Sequence, residues 1–158
     1  MSGGTKFTGG PQDSPGYLLW RATLRWQRMV TAALAPLDLT HVQFVLLTCL
    51  WWLHGQKVEP NQLALARQAG TDVKMTSQVL RALERKGLVE RRTDPVDTRA
   101  KTVHLTAAGS KLARRAVVVV EAADEQFFAA ATRGSSGGTD RLVALLRRLA
   151  PLPADLSA

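Results

Sequence analysis

Residues 72–109, DVKMTSQVLRALERKGLVERRTDPVDTRAKTVHLTAAG, contain the pattern that decides the fold of this 158-residue chain. Asp72, or Thr71 just before it, can accept a hydrogen bond from a free backbone amide and so begin a helix. Gly87 is the type of residue that ends one, because glycine adopts the left-handed backbone conformation at little cost. The first half of the stretch therefore predicts a single helix with a clear start and a clear end.

Two short segments after that helix alternate apolar and polar residues, at 88–92 (LVERR) and 102–106 (TVHLT). The polar, charged loop at 93–101 separates them, which predicts a β-hairpin with a long tip. Upstream, a helix over residues 60–69 is broken by Gly70. The order of helix, short glycine turn, helix and hairpin is that of a winged helix-turn-helix.

The helix that begins near Asp72 has two different faces. Val79, Leu80 and Leu83 recur at a spacing of three to four residues, so they are expected to face the core. The polar side chains then point outward, and in a helix of this kind they can reach base edges in the major groove, where glutamine pairs with adenine and lysine with guanine or phosphate. The outward set is Lys74, Ser77, Gln78 and Arg81.

The charge of the chain favours a polyanionic partner. There are 21 lysines and arginines against 13 acids, a formal net charge of +8. Half of this excess, 8 cations minus 4 acids, falls within residues 74–101. Nucleic acid is the first candidate, since an acidic membrane would call for a basic amphipathic helix and the cations here cluster on the hairpin. The alternative is an ordinary solvated helix face beside a charged hairpin.

Three segments resemble the multiple-antibiotic-resistance regulator (MarR) family of winged-helix transcription regulators. They are 83–91 (LERKGLVER), 94–101 (DPVDTRAK) and 103–109 (VHLTAAG), and the wing pattern D-x-R-x-K followed by L-T-x-x-G is the most specific. The sequence departs from the family at Thr98, where a second arginine is common. The resemblance spans about residues 17–150.

The resemblance implies a mainly α fold, with a small β-hairpin wing and a helical dimerisation region formed by the N- and C-terminal helices. It also implies a homodimer. The corresponding organisation is a flexible tail at 1–16, dimerisation helices at 17–36 and 106–150 around a DNA-binding winged helix at 37–105 within one domain (17–150), and a second tail at 151–158.

The resemblance also implies which residues contact DNA. Arg99 corresponds to the wing-tip arginine that enters the minor groove, and Asp97 orients the wing by pairing with a nearby arginine. The implied set is Lys74, Thr76, Ser77, Gln78, Arg81, Asp97, Arg99 and Lys101. The function that follows is a sequence-specific double-stranded-DNA regulator on a pseudo-palindromic operator, a repressor released by a small aromatic or phenolic ligand.

The residues themselves support the dimer. A helix capped by Thr106 runs to about Ala131, which gives a length of about 38 Å. It carries an unbroken apolar run at 117–120, and a last helix carries leucines at helical spacing. Such surfaces would be poorly covered in a monomer.

The ligand pocket is implied where the first, second and fifth helices meet. The candidates to line it are Trp20, His41, Trp51 and Arg114. Ordinary core and dimer packing is the alternative reading of the tryptophans. Trp52 is adjacent to Trp51, so one of the two is expected to face a partner or a cavity.

Several other functions find no support in the sequence. The single cysteine, Cys49, excludes an intramolecular disulfide, and its apolar surroundings favour an inert thiol over an oxidant-sensing one. The three histidines form no ligand pair, no phosphate loop or catalytic motif is present, and no cofactor is expected. Neither a signal peptide nor a bilayer-length apolar stretch is found, which fits a cytoplasmic protein. A winged-helix interaction module without DNA readout, or a thiol-based sensor, remains the alternative function.

Overall fold

The computed structural model describes residues 6–93, 97, 101–134 and 136–150 of the chain. Within these residues it is mainly helical, with one antiparallel hairpin, and the predicted winged helix-turn-helix is confirmed. The elements are α1 (Pro15–Leu34), α2 (His41–Gly55), α3 (Gln62–Ala69), α4 (Val73–Arg85), β1 (Val89–Thr93), β2 (Lys101–Leu105), α5 (Ala107–Thr132) and α6 (Gly138–Leu149).

Helix α2 is the centre of the core. It begins with a capping box, in which the Thr40 hydroxyl accepts from the Gln43 amide at 3.2 Å and the Gln43 side chain accepts from the Thr40 amide at 3.2 Å. Its leucines are buried on all sides because α1, α3, α4, α5 and β2 pack around it. The buried leucines of this helix are Leu46, Leu47, Leu50 and Leu53.

Helix α3 begins later than its sequence indicates. The helix begins at Gln62 and not at Pro60; Asn61 is its N-cap, and the Asn61 side chain accepts from the Ala64 amide at 2.8 Å. Pro60 is buried instead, and its carbonyl accepts from the Val103 amide at 2.9 Å. The segment before α3 therefore contacts β2 through one hydrogen bond and an isolated bridge, with Asn61 opposite Thr102. Proline suits this place because only its carbonyl is needed there.

The hairpin pairs Val89 with Leu105 at its base and Thr93 with Lys101 at its outer end. Both strands lie within one residue of their predicted positions. Of the long tip between them, Asp97 is described, and Arg99 lies outside the described residues.

The start of α5 packs directly against the chain that leads into β1. The Thr106 hydroxyl donates to the Gly87 carbonyl at 2.8 Å and accepts from the Gly109 amide at 3.0 Å. A Cβ on Gly109 would lie 2.0 Å from the Leu88 carbonyl oxygen. Glycine at this position is therefore a steric requirement, which explains the L-T-x-x-G pattern physically.

The two ends of the described chain leave apolar surface uncovered. Helix α6 has no buried residue, and the first two turns of α1 are exposed. The exposed apolar residues here are Tyr17, Leu18, Leu19, Trp20, Val143, Leu145, Leu146 and Leu149.

Part of the segment predicted as a flexible tail, residues 1–16, has regular structure. Ser14 caps α1 through its hydroxyl, which accepts from the Tyr17 amide, and a 3₁₀ turn at Pro11–Asp13 precedes it. Residues 1–5 and the predicted tail at 151–158 lie outside the described residues.

By length and composition, none of the described helices alone would cross a membrane. Pro15–Leu37 and His41–Gly55 would pass the same test only as a pair, and they meet at a bend of 74°.

Candidate nucleic-acid interface

Helix α4 presents a polar stripe to solvent. Lys74, Gln78, Arg81 and Arg85 are exposed, and Ser77 is half-buried at its edge. Leu80 and Leu83 on the opposite face are fully buried, with Val79 packed against the core, as the spacing predicts. A cationic stripe with one amide suits the outer surface of a helix that enters a DNA groove.

Thr76 does not belong to this stripe, and its predicted contact with DNA is wrong. Its side chain is 0% exposed. The hydroxyl donates to the Asp72 carbonyl at 2.8 Å and lies 2.8 Å from the Thr71 hydroxyl. Thr76 is two residues after Lys74, about 200° around the helix, and so points inward. Its role is to fix the turn between α3 and α4.

The first turn of α4 projects from the domain. Val73 and Met75, on either side of Lys74, are 46% and 38% exposed. The Asp72 carboxylate caps the turn by accepting from the Met75 amide at 2.8 Å. The Gln62 side chain donates to the Val73 carbonyl at 3.3 Å, so the start of α3 holds it in place. The sequence analysis did not identify Val73 and Met75 as surface residues. Hydrophobic periodicity identifies buried positions, and these two apolar residues lie outside the periodic set.

An ion pair connects α4 to the hairpin. Arg91 of β1 donates to one carboxylate oxygen of Glu84 from Nε at 3.0 Å and from Nη2 at 2.6 Å. The hydrogen bond from Arg91 lowers the pKa of Glu84 below its ordinary value. The pair therefore stays charged and fixes the hairpin relative to α4.

The C-terminal end of α4 is also tied to the turn before α2. Lys86 forms an ion pair with the Asp38 carboxylate at 3.0 Å and also donates to the Asp38 carbonyl. Its ammonium group lies 3.3 Å from the Gln43 side-chain oxygen, within the capping box of α2. Not all cations of the basic segment are thus available to DNA, because Lys86 and Arg91 position α4 instead.

The hairpin carries further charge beside the stripe. Lys101 and Asp97 are exposed, and Arg92 forms an exposed ion pair with Glu90 at 3.1 Å. At the base, His104 lies 3.1 Å from a Glu59 carboxylate oxygen. Lys101 therefore lies on the wing, while the predicted roles of Asp97 and Arg99 stay predictions.

The residues predicted to form the ligand pocket are not brought together. Trp20 lines a groove between α1 and α5, whereas Trp51 lines a separate cavity with Trp52 at the end of α2. Arg114 is exposed beside Ser110, one turn earlier on α5. Trp51 packs partly against the core and Trp52 is 51% exposed, so the two adjacent rings do diverge as expected.

His41 lies instead in a small cluster where α1, α2 and α5 meet. The Trp26 ring packs edge-on against it, with centroids 4.9 Å apart, and the Trp26 indole donates to the Asp124 carboxylate at 2.6 Å. Burial lowers the pKa of His41, against the opposing effect of the Asp124 charge. Asp124 belongs to no sequence motif. An acidic residue on the inner side of a long apolar helix was the signal in the sequence that could have identified it as a buried contact.

The groove that contains Trp20 is a wide concave feature between α1 and α5. It has a volume of about 760 Å³ and is open to solvent. Arg25 lies over the Phe127 ring at 5.8 Å, and Arg21 lies over the Tyr17 ring at 5.9 Å. The combination of aromatic rings and arginines can hold a flat, negatively charged molecule.

Cys49 is poorly suited to redox sensing. Burial raises its pKa to about 11, so the group is a neutral thiol at physiological pH. The thiolate is the form that reacts with oxidants. In the described ranges, no three histidine, cysteine or acidic side chains are grouped so as to hold a metal ion.

Comparison with known proteins gives consistent matches. The MarR family model matches residues 39–101, from the residue before the α2 cap to the first residue of β2. The chain is 48% identical over 115 residues to YdcH, an uncharacterized HTH-type transcriptional regulator of Bacillus subtilis strain 168, covering 72% of this chain and 76% of that one. It is 39% identical over 105 residues to the HTH-type transcriptional repressor Rv2887 of Mycobacterium tuberculosis H37Rv, covering 66% and 73%.

A solved structure extends the similarity to almost the whole chain. CouR from Rhodococcus jostii RHA1, crystallised with p-coumaroyl-CoA, superposes with a TM-score of 0.77 at 26% identity. The superposition covers 94% of this chain and all of that one. The helices outside the family-model match therefore share the same architecture.

Proposed function

We propose that this chain, which belongs to the MarR family, is a homodimeric repressor that reads a pseudo-palindromic operator in double-stranded DNA. Members of this family are DNA-binding transcription regulators and not enzymes. The observation that carries this proposal is the exposed stripe of α4. Lys74, Gln78 and Arg81 project from one face. The other face of the helix is anchored by Leu80 and Leu83 in the core.

The anchoring contacts support a reading function. Specific recognition requires that base-contacting side chains stay in register with the phosphates. The Glu84–Arg91 and Lys86–Asp38 pairs hold α4 at its C-terminal end, and the Asp72 cap holds its N-terminal end. In this proposal the wing places Lys101 near the DNA backbone beside the groove. Arg99 and Asp97 are the proposed contacts at the tip of the wing.

A homodimer is supported by the uncovered apolar ends. The exposed residues of α1 and α6 include leucines that a stable monomer would bury. Two copies related by a two-fold axis would present their α4 helices to successive major grooves, about 34 Å apart. Repression is supported by Rv2887, a repressor by name. A DNA-bound working state also implies a cytoplasmic location.

The proposed effector is a small aromatic anion. The groove between α1 and α5 offers Trp20 with Arg21 and Arg25, which is a better site than the set His41, Trp51 and Arg114. CouR, of similar structure, was crystallised with an aromatic thioester of coenzyme A. Such a ligand would release DNA if it bound more tightly to a dimer whose α4 helices are wrongly spaced for DNA than to the DNA-binding form. The difference between these two affinities would shift the population toward the form that does not bind DNA.

Fluorescence anisotropy against the intergenic DNA beside the protein's own gene tests the DNA function, with a scrambled duplex for comparison. We expect saturation at one dimer per duplex, preference for the intergenic sequence, and weaker binding at higher salt. Lys74→Ala and Arg81→Ala should each weaken binding. Arg115→Ala, which removes the same charge from an exposed position on α5, should not. Equal affinity for both duplexes contradicts specific reading, and no binding at low salt favours an interaction module.

A further inference from the structure

We propose that Val73 and Met75 read thymine methyl groups in the major groove, so that the half-site bound by α4 contains thymine opposite its first turn. The inference rests on the proposed DNA function and adds a specificity determinant to it. Val73 and Met75 are apolar, half-exposed and on the first turn of the reading helix. They lie outside the hydrogen-bonding set of Lys74, Gln78 and Arg81.

The geometry places these two side chains on either side of the polar stripe. Successive residues of a helix are separated by about 100°. Val73 and Met75 therefore flank Lys74 on opposite sides, while Thr76 turns into the core with 0% exposure. A helix that enters the groove by its N-terminal end would bring all three residues 73–75 to the base edges together.

The electrostatics of this turn disfavour a phosphate contact there. A free helix N-terminus attracts anions through its unpaired amides and dipole. In α4 the Asp72 carboxylate already occupies that position by accepting from the Met75 amide at 2.8 Å. The carboxylate repels a phosphate, and so the first turn is suited to the floor of the groove and not to its backbone.

The floor of the groove offers one apolar group to such a surface. Among the four bases, thymine alone carries a methyl group at the major-groove edge, and apolar side chains recognise it by contact. Leu63 at the start of α3 is also 46% exposed, and the Gln62 contact to the Val73 carbonyl places that start beside the first turn of α4. Removing the methyl from a base covered in this way should weaken binding about fourfold per methyl group.

The test compares thymine with deoxyuridine, which differs only by the methyl group. Duplexes that the full-length protein binds are first selected from a randomised library. The selected duplex is then made in two forms, with thymine or with deoxyuridine in both half-sites, and Kd is measured for each. We expect thymine in the selected half-site and a deoxyuridine duplex that binds at least about fourfold more weakly.

Variants assign the effect to the first turn. In the double variant Val73→Asn, Met75→Gln, which replaces both apolar side chains with amides of similar size and leaves no side-chain methyl at either position, the ratio of the two Kd values should fall toward one. In Arg81→Ala, both Kd values should rise while their ratio stays as in the wild type. Circular dichroism checks that each variant keeps its helices.

Three results would overturn the inference while leaving the DNA function intact. They are a selected half-site without thymine, equal Kd values for the two duplexes with the wild-type protein, and a ratio that persists in the double variant. A library from which the protein selects no sequence would instead contradict the proposed DNA function itself.

Discussion

Glu84 and Arg91 form a paired contact that holds the reading helix against the wing. Arg91 is mostly buried and Glu84 is about one-third exposed, so solvent screens the pair in part. Glu84→Gln removes the charge but keeps the shape. At neutral pH we expect the free energy of unfolding to fall by about 0.5–1 kcal/mol, measured by urea denaturation.

The pH dependence identifies the origin of that loss. The pKa of Glu84 is lowered in the folded protein, so its stabilising effect is complete above the ordinary glutamate pKa and disappears as pH falls through the lowered value. Wild type and Glu84→Gln should therefore converge in acid. Glu90→Gln is the control, because its pair with Arg92 is exposed on both sides and should have little effect at any pH. A gap between wild type and Glu84→Gln that does not shrink in acid would contradict the assignment.

Cys49 should behave as an inert thiol. Its pKa of about 11 leaves a very small thiolate fraction at pH 7.5. In the folded protein, we expect alkylation by iodoacetamide to be at least tenfold slower than in urea-unfolded protein. Cys49→Ser should retain DNA affinity before and after treatment with peroxide. Peroxide-dependent loss of DNA binding in the wild type, absent in Cys49→Ser, would instead establish the thiol-sensing alternative.

At the scale of secondary-structure elements, the contact between α5 and the chain before β1 depends on Gly109. A Cβ there would meet the Leu88 carbonyl at 2.0 Å and a Leu105 methyl at 2.9 Å. Since the first of these atoms belongs to the backbone, it cannot move alone. Gly109→Ala should cost about 1–3 kcal/mol of unfolding free energy by overpacking, measured by thermal and urea denaturation.

Gly55→Ala is the matched control for that change. Gly55 ends α2, and a Cβ there would have no neighbour within 4 Å. Alanine has a higher helix propensity than glycine, so this variant should be unchanged or more stable by up to about 1 kcal/mol. Equal destabilisation by both substitutions would show that the packing at Leu88 is not the cause.

The elements themselves were predictable where a local signal was strong. The cap at Asp72 and the glycine at position 87 predicted α4, and the strand alternation predicted the hairpin, to within one or two residues. The start of α3 was not predictable in this way. Pro60 is a good first-turn residue by propensity, and the hydrogen bond that its carbonyl accepts from Val103 of β2 is a tertiary contact.

The candidate site divides in the same way. The outward stripe of α4 follows from periodicity, since Leu80 and Leu83 define the buried face. Thr76 was assigned to the DNA face by family correspondence, although its angular position on the helix turns it inward. The ligand pocket combined residues from three helices, and only the packing of those helices decides which of them meet.

At the scale of the whole molecule, the uncovered surfaces of α1 and α6 predict obligate association. A stable dimer buries about 1,200–2,000 Å² in total. The double variant Leu145→Glu, Leu149→Glu places charges on exposed α6 leucines and should give a monomer in analytical ultracentrifugation, with DNA affinity reduced at least tenfold.

Arg147→Glu serves as the control for charge on the same helix. Arg147 is an exposed polar position of α6, so the dimer should persist. A wild-type protein that sediments as a monomer at micromolar concentration would contradict the homodimer, as would a dimer unaffected by the two leucine substitutions.

The length of α5 has a mechanical consequence. Its first turn is locked against Leu88 at the DNA-binding end, and its second half holds Asp124 against Trp26. A helix of 26 residues is about 39 Å long, so a pivot of about 5° at one end displaces the other by about 3 Å. That displacement equals the full length of a hydrogen bond. In the proposed function, a ligand that tilted α5 from the α1 groove would therefore shift the DNA-binding end of the helix by about the length of a hydrogen bond, and the proposed base contacts of α4 would be disturbed with it.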